Sequence, residues 1–204
     1  EIWRNTAPGS MIASTPAVVD GKMYFGTLWN SPNPNKIFCL NATTGAHIWN
    51  YTALASIWHV LFMDNRVYAG QSAEAGLGKV YCLNGTTGAH IWSFTTADTV
   101  RSPLSIHGDR LFFGSYDGNV YCIDKTTGVK IWNYSTGGWV ICNPAVSGDG
   151  KVLIGSNDTC LYCLNEATGA LIWKYKTEGL VWGNAIADGD AFITSWDDRI
   201  YALG

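Results

Sequence analysis

Val120-Tyr121-Cys122-Ile123-Asp124-Lys125-Thr126-Thr127-Gly128-Val129-Lys130-Ile131-Trp132 is the stretch from which the fold is read. Its first residues alternate with period two, its middle is a Thr-Thr-Gly turn, and its end is a second alternating run, so it reads as an antiparallel hairpin. The same text recurs as Ile37-Phe38-Cys39-Leu40-Asn41 running to Trp49, Val80-Tyr81-Cys82-Leu83-Asn84 running to Trp92, and Leu161-Tyr162-Cys163-Leu164-Asn165 running to Trp173. In each copy a Thr-Gly precedes the Trp by four residues, and successive Trp are 43, 40 and 41 residues apart. A period of that length decides the architecture before any single strand does.

Working outward from the hairpin, the third repeat reads as strand A over 101–106, strand B over 110–114, strand C over 119–124 and strand D over 129–134. Gly, Asp and Asn stand in the turns between them. Four short antiparallel strands in about 40 residues, repeated, are the pattern of a propeller blade, and no segment calls for a helix. A fifth copy is split, with Ile200-Tyr201-Ala202-Leu203-Gly204 as its first half and Glu1-Ile2-Trp3 as its second. The phase predicts an all-β, five-bladed β-propeller, a single domain over 1–204, closed by its own N-terminal strand. The absence of an initiator Met before Glu1 suggests a processed or excised chain.

Composition agrees with such a body. The chain has 204 residues, 47% hydrophobic and 14% charged, with 23 Gly and 10 Trp. Roughly 70% of the surface of an unfolded chain of this size is buried on folding. A charged fraction well under the usual share excludes disorder and coiled coil. A formal net charge of −3, with 13 Lys and Arg spread along the chain, gives no footprint for nucleic acid. No apolar run approaches the roughly 18 residues of a membrane span.

The run Tyr-Cys-Leu-Asn, then Thr-Gly, then Ile-Trp resembles the PQQ-like repeat of quinoprotein-type propellers, and the resemblance covers essentially the whole chain. It implies that the strand D tryptophans Trp3, Trp49, Trp92, Trp132 and Trp173 dock between neighbouring blades as core. The quinone-dependent dehydrogenases of that class have eight blades and commonly a vicinal Cys pair over the cofactor. This chain has five docking Trp and no adjacent Cys, so no cofactor is expected, and an excerpt from a larger ring is the alternative to a closed five-bladed one.

The remaining chemistry-bearing residues divide into turn formers and a rim. Cys39, Cys82, Cys122 and Cys163 share one repeat position and read as small buried thiols, while nothing in the sequence fixes the state of Cys142 and Cys160. His47 and His90 read as exposed strand residues and His107 as a turn residue. The Asp188-Gly189-Asp190 and Asp197-Asp198 clusters read as turn chemistry, so no metal is expected. Glycoside chemistry needs two carboxylates about 5 to 10 Å apart, and the expected A strands, near 13–18, 56–62, 100–106, 141–146 and 182–187, contain neither Asp nor Glu. Only loop residues such as Glu74, Asp98 or Asp117 could approach a channel. The five Trp outside the repeat position, Trp29, Trp58, Trp139, Trp182 and Trp196, fall in or beside the D-to-A connections and B-to-C hairpins, which emerge on one face. Beside them stand His59, Arg101, Asn143 and Asn184. Flat aromatic surfaces with fixed hydrogen-bonding groups suit carbohydrate or protein recognition, which makes Trp58, His59, Arg101, Trp139, Asn143, Trp182 and Asn184 the candidate ligand-binding residues. The hairpins after Gly26 and Gly70 are longer than those after Gly114 and Gly155, which favours one binding edge.

Five Asn-x-Ser/Thr sequons, at Asn41, Asn50, Asn84, Asn133 and Asn157, fit a secreted or cell-surface glycoprotein. The reading is therefore a non-catalytic, extracytoplasmic module that binds a carbohydrate or protein ligand at a Trp-rich face. The competing readings are a structural subunit of a surface layer or filament, and a quinone-dependent dehydrogenase or glycoside-processing enzyme.

Overall fold

The computed structural model describes residues 2–5, 11–12, 14–28, 34–187 and 189–204. Among them there is no helix, and the strands fall into five antiparallel sheets, each running in chain order across its strands. Sheet 1 holds β1 (Ala17–Val19), β2 (Lys22–Gly26), β3 (Lys36–Asn41) and β4 (His47–Thr52). Sheet 2 holds β5 (Ile57–Met63), β6 (Arg66–Glu74), β7 (Leu77–Asn84) and β8 (His90–Thr96). Sheet 3 is β9 (Ser105–His107), β10 (Arg110–Gly114), β11 (Asn119–Asp124) and β12 (Lys130–Ser135). Sheet 4 is β13 (Ala145–Val146), β14 (Lys151–Gly155), β15 (Cys160–Asn165) and β16 (Leu171–Lys176). Sheet 5 has three strands, β17 (Val181–Ala187), β18 (Asp190–Ser195) and β19 (Ile200–Leu203). The chain divides into two compact units, Glu1–Arg101 with sheets 1 and 2 and Ser102–Gly204 with sheets 3 to 5.

The repeat read from sequence is the repeat that folds, but two details differ. The A strands expected near 13–18, 100–106 and 141–146 are only two or three residues long. Each starts one or two residues after a proline (Pro16, Pro103, Pro144), which lacks the N–H that a ladder needs. Sheets 2 and 5, with no proline there, carry seven-residue A strands. The second difference is at the terminus: residues 2–5 form no strand, and sheet 5 has three strands among the described residues. The longer hairpin after Gly70 is an extension of β6 and β7 around Ala75-Gly76, both at positive φ. The one after Gly26, with Trp29, lies partly outside the described residues.

The tightest recurrent feature is the C-to-D turn. Asn41, Asn84, Asp124 and Asn165 each accept two backbone N–H groups with Oδ1, at 2.7–3.0 Å, which closes the turn locally. Four residues on, the Gly of each turn lies at φ of 71–73°, a conformation that L side chains adopt at a cost. Within each unit this turn receives a Trp from the preceding D position. In the first unit Trp49 lies over Gly88 and its Nε1 donates to Gly85 O at 3.1 Å, and Trp3 lies over Gly45 and donates to Ala42 O at 3.0 Å. In the second unit Trp132 lies over Gly169 and donates to Glu166 O at 2.9 Å. A register shift in each C/D pair, after Cys39, Cys82, Cys122 and Cys163, turns the Trp inward. The Ile before each of these Trp then faces water.

Each unit has its own core. In the first, Tyr24, Ile37, Cys39 and Trp49 of sheet 1 pack with Ile57, Val67, Ala69 and Leu83 of sheet 2. In the second, one continuous cluster joins sheets 3, 4 and 5, from Phe112 and Val120 to Ile193. All six cysteines are free and buried, Cys142 and Cys160 included. Burial pushes the Cys122 and Cys142 thiols up to about 12, which removes them as nucleophiles near neutral pH.

Candidate functional site

The candidate residues stand at the starts of the A strands and in the B-to-C turns of each unit. In the first unit, β5 bulges between Ile57 and His59, so Trp58 is the extra residue and is re-aimed out of the ladder. Its Nε1 donates to Ser72 Oγ at 2.6 Å, and the Arg101 guanidinium lies 4.3 Å from its ring, a cation–π contact. Behind it Gln71 is fully buried, its Oε1 accepting from Tyr81 Oη at 2.7 Å and from Leu54 N at 3.1 Å. His59 is half-buried and makes an isolated parallel bridge to Thr15, two residues before β1. Burial lowers the pKa of its imidazole; a hydrogen bond to the Arg101 backbone opposes this and the Arg101 charge adds to it. The structure thus joins three of the expected residues, Trp58, His59 and Arg101, in one place.

A pH dependence follows from His59. Its folded pKa lies below its unfolded value of about 6.5, so the unfolded chain binds the extra proton, and stability falls as pH drops from about 6.5 through the folded pKa. Urea unfolding between pH 8 and pH 5 is expected to show this loss, and His59→Gln to remove its share. An identical pH profile for the variant would refute it.

In the second unit β17 carries the same bulge, between Val181 and Gly183, so Trp182 is projected as Trp58 is. The exposed rings of Trp182 and Trp196 stack at 5.1 Å between centroids, 27° from parallel. Trp139, also exposed, stacks on Tyr116 at 4.6 Å and 7°. Tyr116 and Ser72 were missed from sequence, yet they hold the B-to-C turn position of Trp196, so alignment of the repeats would have shown them. Asn143 and Asn184 come together differently from a ligand-binding pair. The Asn184 amide nitrogen donates to Asn143 O and Leu153 O, both at 3.1 Å, and its Oδ1 accepts from Gly155 N at 3.3 Å. It is a tie between sheets 4 and 5, with both amide N–H groups committed to backbone carbonyls. Asn143 Oδ1 accepts from Ser105 Oγ at 3.1 Å.

The observed A strands contain no Asp or Glu. Asp117 and Asp158 are engaged by Tyr121 Oη and Tyr162 Oη, and Asp197 by Tyr201 Oη, which fixes the B-to-C turns. Among the described residues no three His, Cys, Asp or Glu come together as metal ligands. His107 instead contacts Glu166, whose nearly buried carboxylate also accepts from Arg110. Of the five sequons, Asn50 and Asn133 are exposed on D strands, while the Asn41 and Asn84 amides cap turns and Asn157 Oδ1 is buried.

Antiparallel sheets, four of them four-stranded, in which within each unit a Trp is laid on a Thr-Gly turn, define the protein as one of the PQQ-like repeat class. A family model described as outer membrane protein assembly factor BamB matches residues 35–144 and 137–204, and the chain belongs to that family. Among solved structures, BamB from Moraxella catarrhalis is 21% identical at a TM-score of 0.71, covering 93% of this chain and 57% of that one. Quinohemoprotein alcohol dehydrogenase ADHIIG from Pseudomonas putida HK5 is 17% identical at 0.71, over 95% of this chain and 40% of that one. The WD40 β-propeller domain of Doa1 is 18% identical at 0.68, over 93% and 62%. At these identities the likeness speaks for fold alone, and the chain spans little more than half of the BamB chain and two fifths of the dehydrogenase. A search of curated protein sequences finds no match. Among the described residues no helix is long and apolar enough to cross a membrane.

Proposed function

We propose that the chain is a non-catalytic, extracytoplasmic interaction module, its five sheets acting as the blades of one propeller body, and that it binds a protein partner through the aromatic positions at the A-strand starts and B-to-C turns. The observation that carries this reading is the pair of stacked, exposed platforms, Trp182 on Trp196 and Trp139 on Tyr116. Large rigid rings of this kind bury much area at little entropic cost and serve as anchors in interfaces. Family membership favours a protein over a carbohydrate and an envelope location over a cytoplasmic one, since the family is described by an outer-membrane assembly factor. Catalysis is disfavoured by high-pKa thiols and by the turn carboxylates being held by tyrosines.

The test is a displayed random-peptide library and a glycan array, each probed with the wild-type chain and with Trp58→Ala/Trp182→Ala. Peptide binding by the wild type and its loss in the double variant, with the thermal melt nearly unchanged, is the expected result. Equal binding by the variant would move the site elsewhere, and binding to glycans alone would replace the protein partner by a carbohydrate.

A further inference from the structure

The repeats supply an internal control for every position, and two of the sequons stand where that control shows no structural need for Asn. Asn50 and Asn133 hold one place on strand D, directly after the docking Trp, where sheets 2 and 4 have Ser93 and Lys174. Their hydroxyl residues, Thr52 and Ser135, match Thr95 and Lys176. Each of these residues is exposed. Sheet 4 packs with a sheet on each side of it inside one compact unit, and Lys174 and Lys176 are still open to water there, so the exposure is a property of the repeat position.

The strand also aims the two groups outward together. In an extended strand residues i and i+2 share a side, which sets the Asn amide and the hydroxyl of Asn50-Tyr51-Thr52 and Asn133-Tyr134-Ser135 on one side and the Tyr on the other. Tyr51 turns to Tyr81 of the next sheet and Tyr134 to Tyr162, both at 5.5 Å between ring centroids. The sequon side chains therefore point away from those packed neighbours. Asn50 Nδ2 lies 2.9 Å from His47 Nε2, while Asn133 Nδ2 donates to Asn119 Oδ1 at 3.2 Å and its Oδ1 accepts from Lys130 Nζ at 3.0 Å. All these contacts are exposed, and an amide that gives up one N–H keeps the other.

The remaining sequons have another explanation or are closed in. Asn41 and Asn84 share a position with Asp124 and Asn165, where Oδ1 caps the C-to-D turn. Asp serves that cap as well as Asn does, so the turn accounts for the residue. Thr86, the hydroxyl residue after Asn84, is bound to Asn65 Oδ1 at 3.0 Å. Asn157 Oδ1 is buried, and Thr159 beyond it is held at a φ of 72°.

We propose that Asn50 and Asn133 are acceptor sites for an N-linked glycan. The donor is an oligosaccharide joined through phosphate to a lipid. A bond forms between the Asn Nδ2 and C1 of the sugar as the bond from C1 to the phosphate oxygen breaks, the amide proton passes to a base of the transferase, and the lipid phosphate leaves. The D strands also have a use for such a group, because among the described residues each is the last of its sheet and is paired along one side only. Open strand edges invite pairing with other chains, and Lys is one residue that guards them. Sheet 4 has Lys174 and Lys176 on its D strand, and sheets 1 and 3 have the sequons in the same places. The proposal rests on the extracytoplasmic reading, since the chain must be exported to meet the transferase.

The test uses the full chain with an export signal, secreted from a glycosylating yeast, with glycopeptides mapped by mass spectrometry. Glycan is expected on Asn50 and Asn133, with Asn41, Asn84 and Asn157 bare. Asn50→Gln and Asn133→Gln should each remove one glycan, Thr52→Ala should act as Asn50→Gln does, and Thr52→Ser should restore it. Melts of these variants should match that of the parent chain, because every changed residue is exposed. Bare Asn50 and Asn133 in the secreted chain would overturn the proposal, and equal occupancy of all five sequons would do so too, since the fold would then select nothing. Recovery of the chain from the cytoplasm alone of its own source would remove the extracytoplasmic reading, whereas the exported chain judges the two sites by themselves.

Discussion

Trp132→Ala is expected to cost about 3–5 kcal/mol of unfolding free energy, the range of large aromatic truncations in a core. For a chain of this size that is a fall of roughly 6–20 °C in the melting temperature. The ring is not merely buried. It lies across the Gly169 turn, and its Nε1 satisfies Glu166 O at 2.9 Å. Truncation therefore leaves a cavity and a carbonyl without its donor together, and an acceptor left unsatisfied in a buried place costs more than the bond itself contributes. Phe112, 5.9 Å away between ring centroids, loses its packing partner too. Urea unfolding of the variant checks the value, and a loss below about 1 kcal/mol, the level of an ordinary surface change, would show that the Trp decorates the sheet and does not join it to its neighbour.

What could be read from the sequence was what depends on spacing alone. The distance from Thr-Gly to Trp fixed the C and D strands and the docking position, because both are set by one local turn whose Asn or Asp and Gly are visible in the chain. The A strands were read too long in sheets 1, 3 and 4. There the alternation of apolar residues continues through Pro16, Pro103 and Pro144, and side-chain pattern says nothing about a missing backbone donor. The aromatic positions were legible as positions, but their pairing was not. Trp58 and Trp182 are projected by bulges, and a bulge is a property of register between two strands, which period-two reading assumes to be regular. The same limit explains Asn184, which reads as a free polar group beside a Trp and is in fact committed to three backbone partners. The closing strand of the fifth repeat was expected from phase alone, which matches a segment by its text and carries no information about the contacts that segment makes.

The second large effect is expected where the backbone and the ring meet. Gly169 has a φ of 72°, and a Cβ there would lie 2.6 Å from Cδ2 of Trp132. Gly169→Ala thus carries two separable costs. Holding an L residue in the left-handed region costs about 1–2 kcal/mol, and forcing the ring aside adds about 1–3 kcal/mol of overpacking. The ring cannot slide along its own plane to escape, because the bond from Nε1 to Glu166 O pins its far edge. In a Trp132→Ala background the steric part has nothing to act on, so Gly169→Ala should there cost only the backbone share. The double-mutant cycle is accordingly expected to show a coupling of about 1–3 kcal/mol, with the two single losses exceeding the loss of the pair. Urea unfolding of the four chains measures it. Strict additivity would mean that Gly169 is required by its turn alone and that the Trp merely lies nearby, in which case the repeat would be held together by its sheet faces and the Thr-Gly to Trp spacing would owe nothing to their contact.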